Sequence, residues 1–144
     1  MPELESVLVK HASKPGVSTG KGPSSLFTGE VFIDTVHNDS GGYGTGGSDS
    51  TIIVNVTFAP GARTHWHTHE KGQLLKVLAG SGWVCDKGGK PKRLETGDVC
   101  WCPEGITHWH GADDGSLMTH FAFARGSVQW LEPVSEQEYA AKGQ

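Results

Sequence analysis

The sequence predicts an all-β domain, either a sandwich or a barrel of short strands. Glycine occurs 21 times and proline 7 times in 144 residues, which suits short strands joined by tight turns and is unusual for a helical bundle. Runs rich in β-branched and aromatic residues recur at short intervals, separated by turn sequences such as APG at 59–61 and DDG at 113–115. The length fits a single domain of ordinary size.

The predicted elements follow in order along the chain. Residues 1–23 are rich in Gly, Ser and Pro and predict an N-terminal arm, residues 24–134 predict the β-barrel, and residues 135–144 predict a helical tail. The tail opens with Ser135 and, three residues later, Glu138, which is the pattern of a helix capping box. Strands are predicted at residues 26–36, 51–58, 73–78, 82–86, 91–94, 98–102, 117–124 and 128–131.

A polar, glycine-rich loop is predicted at residues 37–50. It contains the pattern G-x-G-x-x-G at residues 42–47, which in dinucleotide-binding proteins lies between a strand and a helix. Here residues 51–58 follow, and their β-branched composition predicts a strand instead. We therefore expect no dinucleotide-binding role for this loop.

Charge and composition exclude several partners. The net charge is −4, whereas nucleic-acid binding needs clustered Lys and Arg, so we expect no nucleic acid. No apolar run approaches the ~18 residues that cross a bilayer, and the start of the chain lacks the apolar segment of a secretory signal, so we expect no membrane association. Cys85, Cys100 and Cys102 are an odd number without an export signal, which predicts free thiols and a cytoplasmic protein.

Histidine is concentrated in clusters with alternating spacing. Residues two apart in a strand point to the same face, so each cluster would present its rings together. Imidazole is the commonest protein ligand of first-row transition metals, and facing strands of a barrel can converge on one ion. The pattern therefore predicts a metal site, with one or two of the nearby aromatic residues lining an apolar pocket beside it. The clusters are His65, His67 and His69, then His108 and His110, with His120 on a later strand.

Two motifs around these histidines resemble those of the cupin family. The first is Gly, five residues, His-x-His, three or four residues, Glu, six residues, Gly; the second is Gly, five residues, Pro-x-Gly, two residues, His, three residues, Asn. The matching residues are Gly61, His67, His69, Gln73 and Gly80 for the first, and Gly97, Pro103, Gly105 and His108 for the second, with Ala112 in place of Asn. The resemblance implies a double-stranded β-helix, or jelly-roll barrel, that forms a homodimer or homotetramer. It also implies a metal held inside one end of the barrel by His67, His69, Gln73 and His108.

Position 73 departs from the cupin motif. Gln73 stands where the family's usual ligand is Glu, so the protein ligands have no anionic member to balance a divalent ion. Such an ion is expected to act as a stronger Lewis acid and to favour an anionic ligand such as alkoxide or cyanide. A second register, with His65 and His67 as the ligand pair, stays open, although the spacing from Gly61 favours His67 and His69.

A closer resemblance is to the small manganese-dependent bacterial cupins that act as hydroxynitrile lyases. The residues that carry it are 58–64, 66–69, 72–73, 81–83, 108–111, 118–120 and Trp130. The resemblance implies reversible cleavage of a small cyanohydrin to an aldehyde or ketone and HCN. It implies a divalent metal as Lewis acid, Mn²⁺ first, with Fe²⁺, Zn²⁺ or Ni²⁺ as alternatives. The candidate catalytic residues are the remaining histidines, His110, His120 and His65, one of them acting as general base, because a neutral imidazole near a metal-bound substrate can exchange a proton near pH 7. His65 stands where those cupins can carry a small residue.

Three other functions stay open on the sequence. One is an O₂-dependent cupin dioxygenase or oxidative alkene-cleaving enzyme with the same ligands, which a requirement for O₂ would distinguish. Another is a metal-dependent isomerase or decarboxylase, which on an acidic substrate would need an extra cation such as Arg63. The third is a binding module without turnover, against which the surplus histidines argue.

Overall fold

The computed structural model describes Ser6 and residues 18–143, and most of the predicted N-terminal arm at residues 1–23 lies outside them. Within these residues the chain forms twelve short strands and two short helical segments. The strands are β1 Gly20–Lys21, β2 Phe27–Thr28, β3 Val31–Asn38, β4 Thr51–Phe58, β5 Arg63–Thr64, β6 His67–His69, β7 Gln73–Asp86, β8 Lys92–Glu95, β9 Val99–Cys102, β10 His108–Ala112, β11 Met118–Arg125 and β12 Val128–Trp130. The helical segments are α1 Glu136–Ala140 and a 3-10 turn at Ala141–Gly143.

The strands form one curled antiparallel sheet. Its main path runs in the order β1-β3-β4-β11-β7-β10-β5-β2. Strands β8 and β9 pair with β7, and β6 pairs with both β10 and β12. The predicted all-β jelly-roll barrel with a short C-terminal helix is confirmed.

Strand β7 belongs to both walls of the barrel. The sequence predicts two strands here, at residues 73–78 and 82–86, whereas the structure has one strand of 14 residues. Its first half pairs with β11 and its second half with β10. The strand bends at Gly80, where φ is +71° and a Cβ would overlap the carbonyl oxygen of Leu117. The pairing continues through the bend, which is why one strand replaces the two predicted ones.

The first predicted strand is divided rather than extended. A turn at Gly29, with φ of +84°, separates β2 from β3 within the segment predicted as one strand at residues 26–36. A Cβ at this position would meet Ala62, so the turn packs closely against the chain that leads into β5. This position therefore favours glycine for both its φ and its close packing.

The inward faces of β4 and β11 build much of the barrel core. Both strands alternate buried and half-buried residues, as expected when one face of a sheet packs inside. This alternation places His120 among apolar side chains, where it is fully buried. The inward residues are Val54, Val56 and Phe58 on β4, and Met118, His120, Ala122 and Ala124 on β11.

The outer side of the barrel carries exposed apolar residues. Phe32, Leu78, Val99 and Trp101 each expose more than two fifths of their surface, and Trp101 exposes 57%. The homodimer or homotetramer implied by the resemblance stays a prediction.

The C-terminal helix packs behind β10. Ser135 and Glu138 form the predicted capping box, each side chain accepting a hydrogen bond from the other's backbone N–H. The buried Tyr139 donates its hydroxyl to the carbonyl oxygen of Ala112 at 2.6 Å, and its ring lies 5.6 Å from that of Trp109. The helix therefore holds β10 from outside. None of the helices in the described residues is long and apolar enough to cross a membrane.

The bend in β7 gives a stability prediction. Gly80 and Gly88 both have positive φ, but a Cβ at Gly88 would meet nothing within 4 Å. We expect Gly88→Ala to lower the free energy of unfolding by about 1–2 kcal/mol, the cost of a left-handed alanine. Gly80→Ala should lower it by about 1–3 kcal/mol more, because its Cβ also crowds Leu117. Urea unfolding measures both, and equal losses would contradict the close approach.

Candidate metal centre

Histidines from the two sequence motifs meet where β6 pairs with β10. In this pairing His67 lies directly opposite His108. Their ring centroids are 4.4 Å apart, and the ring of His69 lies 5.0 Å from that of His67 and 5.6 Å from that of His108. All three side chains are buried. The structure thus brings together the three histidines predicted from the motifs as metal ligands.

Backbone carbonyls select the tautomer of two of these rings. Nδ1 of His67 lies 2.9 Å from the carbonyl oxygen of His65, and Nδ1 of His108 lies 3.1 Å from that of Ile106. A carbonyl oxygen can only accept, so each Nδ1 carries the proton and donates it. Each Nε2 is left with a free lone pair. Proteins commonly orient metal-binding histidines in this way.

Gln73 adds an amide to the same cluster. Its Oε1 lies 3.3 Å from Nε2 of His108, so in the tautomer above two acceptors face each other. That contact is favourable when a cation lies between them, or when the amide is turned so that its NH₂ faces the ring. A bound cation would satisfy both acceptors, Oε1 of Gln73 and Nε2 of His108.

His69 gives a second indication of a bound cation. Although its ring is buried, neither of its nitrogens has a hydrogen-bond partner within the described residues. Gln73 is near enough to His69 to influence its pKa but does not complete a hydrogen bond with it. Because an unpartnered buried nitrogen is costly, a ligand for it is expected. The residues present therefore fit a divalent metal, for which neutral imidazole and amide oxygen are ordinary ligands.

Within the described residues, the three histidines whose ring nitrogens lie close enough together to hold an ion include His110 rather than His69. One ring nitrogen each from His67, His108 and His110 lies within 4.8 Å of the others. The two possible sets share His67 and His108 and differ in the residue that completes them. In the described residues, Nε2 of His110 and both nitrogens of His69 have no hydrogen-bond partner, so either ring could complete the set. The spacing of the first sequence motif favours His69, and we therefore expect His69 to be the ligand and His110 to have another role.

His110 and His120 form a buried pair beside the cluster. Nε2 of His120 lies 3.0 Å from Nδ1 of His110, so the two rings share one N–H. Phe58 packs against both, with ring centroids 5.9 Å from His110 and 5.3 Å from His120. In the described chain, Nε2 of His110 and Nδ1 of His120 have no partner. Such a pair can accept a proton at one end and release one at the other.

Burial keeps these histidines neutral near pH 7. It lowers the pKa of His69 to about 3 and that of His120 to about 4. Burial also lowers the pKa of His67 and His110 well below the usual histidine value, and neighbouring histidines add to the effect. The neutral ring is the form that binds a metal or accepts a proton.

His65 faces away from this cluster. Strand β5 ends at Thr64 and β6 begins at His67, so the strand is interrupted at His65 and Trp66. Because the alternation of faces is lost there, Thr64 rather than His65 lines the cavity with His67 and His69. The shared face predicted for three histidines is thus limited to two of them. The contact of His65 with the cluster is through its backbone carbonyl, which accepts from His67.

Arg63 also lies away from the histidines. Its side chain is buried, its Nη2 is 2.8 Å from Oε1 of Glu136, and its guanidinium covers the ring of Tyr139 at 4.2 Å. The same Nη2 donates to the carbonyl oxygen of Val134 at 3.2 Å. The cation that an acidic substrate would need is therefore committed to the C-terminal helix.

Four histidines, His67, His69, His110 and His120, line a largely apolar cavity within the barrel. The cavity has a volume of about 610 Å³ when the space open to solvent is counted. A ligand can lie against the apolar walls with its polar group at the histidines. The lining residues are Phe27, Ile33, Tyr43, Ile52, Val54, Val56, Phe58, Thr64, His67, His69, Gln73, His110, His120, Ala122, Ala124, Gly126, Val128 and Trp130.

Two residues that line the cavity, Thr64 and Trp130, make contacts that the sequence motifs do not predict. Thr64 accepts a hydrogen bond from the backbone N–H of His110 at 3.2 Å. The ring of Trp130 stacks on that of His67, with centroids 4.6 Å apart and planes 27° apart. This stack arises because β12 pairs with β6 and sets Trp130 opposite His67. Strand pairing over this distance in sequence cannot be read from local pattern.

Comparisons with known proteins agree with this architecture. The family described as Cupin domain matches residues 54–121. An (R)-mandelonitrile lyase from Granulicella tundricola is 41% identical over 128 residues, which cover 85% of this chain and 92% of that protein. A cupin-like protein from Thermotoga maritima is 35% identical with a TM-score of 0.76, covering 91% of this chain and 100% of that one. A polyketide cyclase from Streptomyces resistomycificus, at 18% identity and a TM-score of 0.64 over 95% and 94% of the two chains, shares the fold alone.

The two possible ligand sets make opposite predictions for metal content. We expect His67→Ala, His69→Ala and His108→Ala to be purified with little bound metal, because each removes one ligand of the set that the sequence motifs indicate. His110→Ala, a matched loss of one buried ring, should keep its metal. Elemental analysis of the purified, folded proteins measures this. Loss of metal in His110→Ala together with retention in His69→Ala would exchange the two assignments.

Proposed function

This chain belongs to the cupin family, and from that premise we propose that it is a metal-dependent lyase that cleaves a cyanohydrin to an aldehyde or ketone and HCN. The observation that carries the proposal is the neutral His110–His120 pair, which lies beside the histidine cluster and lines a largely apolar cavity. The 41% identity to an (R)-mandelonitrile lyase supports the same reaction and favours a small aromatic substrate. The cupin fold alone hosts many chemistries, so the site carries the argument.

The proposed metal ligands are His67, His69, Gln73 and His108, and the proposed ion is divalent, with Mn²⁺ first. When bound, such an ion would supply Lewis acidity that lowers the pKa of a cyanohydrin hydroxyl. The ligand set has no carboxylate, so the protein leaves the charge of the ion available to an oxygen anion.

The apolar walls bind and orient the substrate. The side chains of Phe58, Val54 and Ala122 offer no hydrogen bonds, so the aryl group of the substrate lies against them. The carbon that carries the hydroxyl and nitrile groups then lies toward the histidines. The apolar walls thus hold the aryl group of the substrate, and the histidines hold its cyanohydrin group.

The histidine pair handles the proton. Nε2 of His110 accepts the hydroxyl proton, the bond between the carbinol and nitrile carbons breaks with its electrons going to cyanide, and the carbonyl forms. The N–H shared with His120 spreads the resulting positive charge over both rings. The protonated pair then returns a proton to cyanide, which leaves as HCN. No oxidant or organic cofactor takes part.

The first test is cleavage of mandelonitrile without O₂. We expect protein reconstituted with Mn²⁺ under anaerobic conditions to release benzaldehyde from racemic mandelonitrile, with the two enantiomers followed separately. Metal-free protein and His67→Ala should release none above the uncatalysed rate. Absence of turnover in protein shown to hold metal would reject the proposal, and turnover of this protein on an alkene only with O₂ would favour the oxidative alternative.

A second test separates proton transfer from metal binding. We expect His110→Ala and His120→Ala to lower kcat by about 10²–10⁴-fold, the usual contribution of general acid–base catalysis, while metal content stays that of the unmodified protein. The matched control is His37→Ala, which should keep full activity. His37 is a half-exposed histidine on β3 that pairs with Asp39. Equal activity in all three variants would place the base elsewhere.

A further inference from the structure

One wall of the cavity comes from a loop. The segment at residues 39–50, here called the cover loop, contributes Tyr43 to the lining beside Val128 and Trp130. Among the lining residues, Tyr43 is the one side chain that does not belong to a strand. The remaining side chains are held in place by the hydrogen-bond ladders of the sheet. The position of Tyr43 therefore depends on how the cover loop is attached.

Two hydrogen bonds from β12 attach the loop at Tyr43. Nε1 of Trp130 donates to the carbonyl oxygen of Tyr43 at 2.8 Å, and the N–H of Val128 donates to that of Gly44 at 3.0 Å. In the pairing of β12 with β6, Val128 lies opposite His69 and Trp130 opposite His67. The loop is thus attached to the strand pair that carries part of the histidine cluster.

A third attachment lies near the far end of the loop. Oγ of Ser48 donates to Oε2 of Glu70 at 2.7 Å, and Oε1 of Glu70 accepts from the N–H of Ser127 at 3.0 Å. Glu70 directly follows His69 in the chain. Each attachment rests on one or two hydrogen bonds, so the loop is held less firmly than a strand inside the sheet.

The close approach of the loop requires glycine at position 44. Gly44 has φ of +94°, and a Cβ there would overlap the side chain of Val128. Four further glycines lie between positions 41 and 47. Gly44, the second glycine of the G-x-G-x-x-G pattern, therefore has a different physical role here, because it lets the backbone pass close to β12.

We propose that the cover loop sets the largest substrate the cavity admits, with Tyr43 as the specificity-determining residue and Trp130 as the residue that positions it. The inference rests on the proposed function for its ligand class, aromatic aldehydes and their cyanohydrins. A second fused ring has to push the side chain of Tyr43 aside, and the hydrogen bonds that Trp130 and Val128 donate to the backbone carbonyls of Tyr43 and Gly44 resist the accompanying movement of the loop. A single ring requires no such movement.

The test compares the binding of benzaldehyde with that of 2-naphthaldehyde. Calorimetric titration of the metal-loaded protein without cyanide gives both affinities in the absence of turnover. We expect the unmodified protein to prefer benzaldehyde and Tyr43→Ala to shift the ratio of affinities toward 2-naphthaldehyde by about tenfold or more. Tyr43→Phe keeps the ring and should keep the original ratio. Asp49→Ala, in the same loop but with a side chain 99% exposed, is the matched control and should also keep it.

Trp130→Phe tests the positioning role separately. It removes the Nε1 donor while keeping an aromatic ring to stack on His67. We expect a smaller shift in the same direction, together with amide hydrogen exchange over residues 39–50 that is faster by about tenfold than in the unmodified protein. Gly44→Ala forces the loop off Val128 by another route and should change both measurements in the same direction.

The outcomes separate this inference from the proposed lyase activity. An affinity ratio in Tyr43→Ala within twofold of the original would overturn the size-selecting role, even if mandelonitrile is cleaved. Unchanged exchange in Trp130→Phe would overturn the positioning role whatever the lyase assay gives. Selective binding of benzaldehyde with the expected shifts, but without cleavage of mandelonitrile, would support the inference and reject only the lyase.

Discussion

The pairing of β6 with β10 is the constraint on which the rest of the candidate site depends. It sets His67 opposite His108, although the two residues belong to motifs far apart in the chain. Because side chains alternate along a strand, a slip of β6 by one residue in this register would turn both His67 and His69 out of the cluster. The same backbone supplies the carbonyls of His65 and Ile106 that select the tautomers. Register, orientation and protonation of the ligand rings therefore follow from one strand pair.

The apolar barrel and the polar cluster depend on each other. Burial among residues such as Phe58 and Val56 lowers the pKa of His120 and keeps it neutral, which is the form a general base needs. The same burial leaves both nitrogens of His69 without a hydrogen-bond partner in the described chain. A bound cation would relieve that cost. The fold thus provides an apolar cavity for an aryl group, and it leaves buried histidine nitrogens beside that cavity that a metal can bind.

Much of the fold could be predicted from local pattern. The capping box at Ser135 and the strand at residues 51–58 depend on neighbours in sequence, and both are confirmed. Where prediction and structure differ, distant contacts decide. Gly80 reads locally as a break between strands, yet the pairing of β7 with β11 and β10 carries the strand through it. Gly29 divides a segment that reads as one strand, because the turn packs against Ala62.

The sequence by itself determined the all-β class, the cupin motifs and the set of residues from which a site is built. Residue types and their spacing suffice for these, because turn chemistry and alternation are local properties. The tertiary structure decided which of those residues meet. An interruption between β5 and β6 turns His65 away while His67 and His69 face the cavity, and long-range pairing brings Trp130 onto His67. It also turns Arg63 toward the C-terminal helix and sets Tyr43 in the cavity wall. These outcomes depend on contacts between segments distant in the chain, which a local pattern does not record.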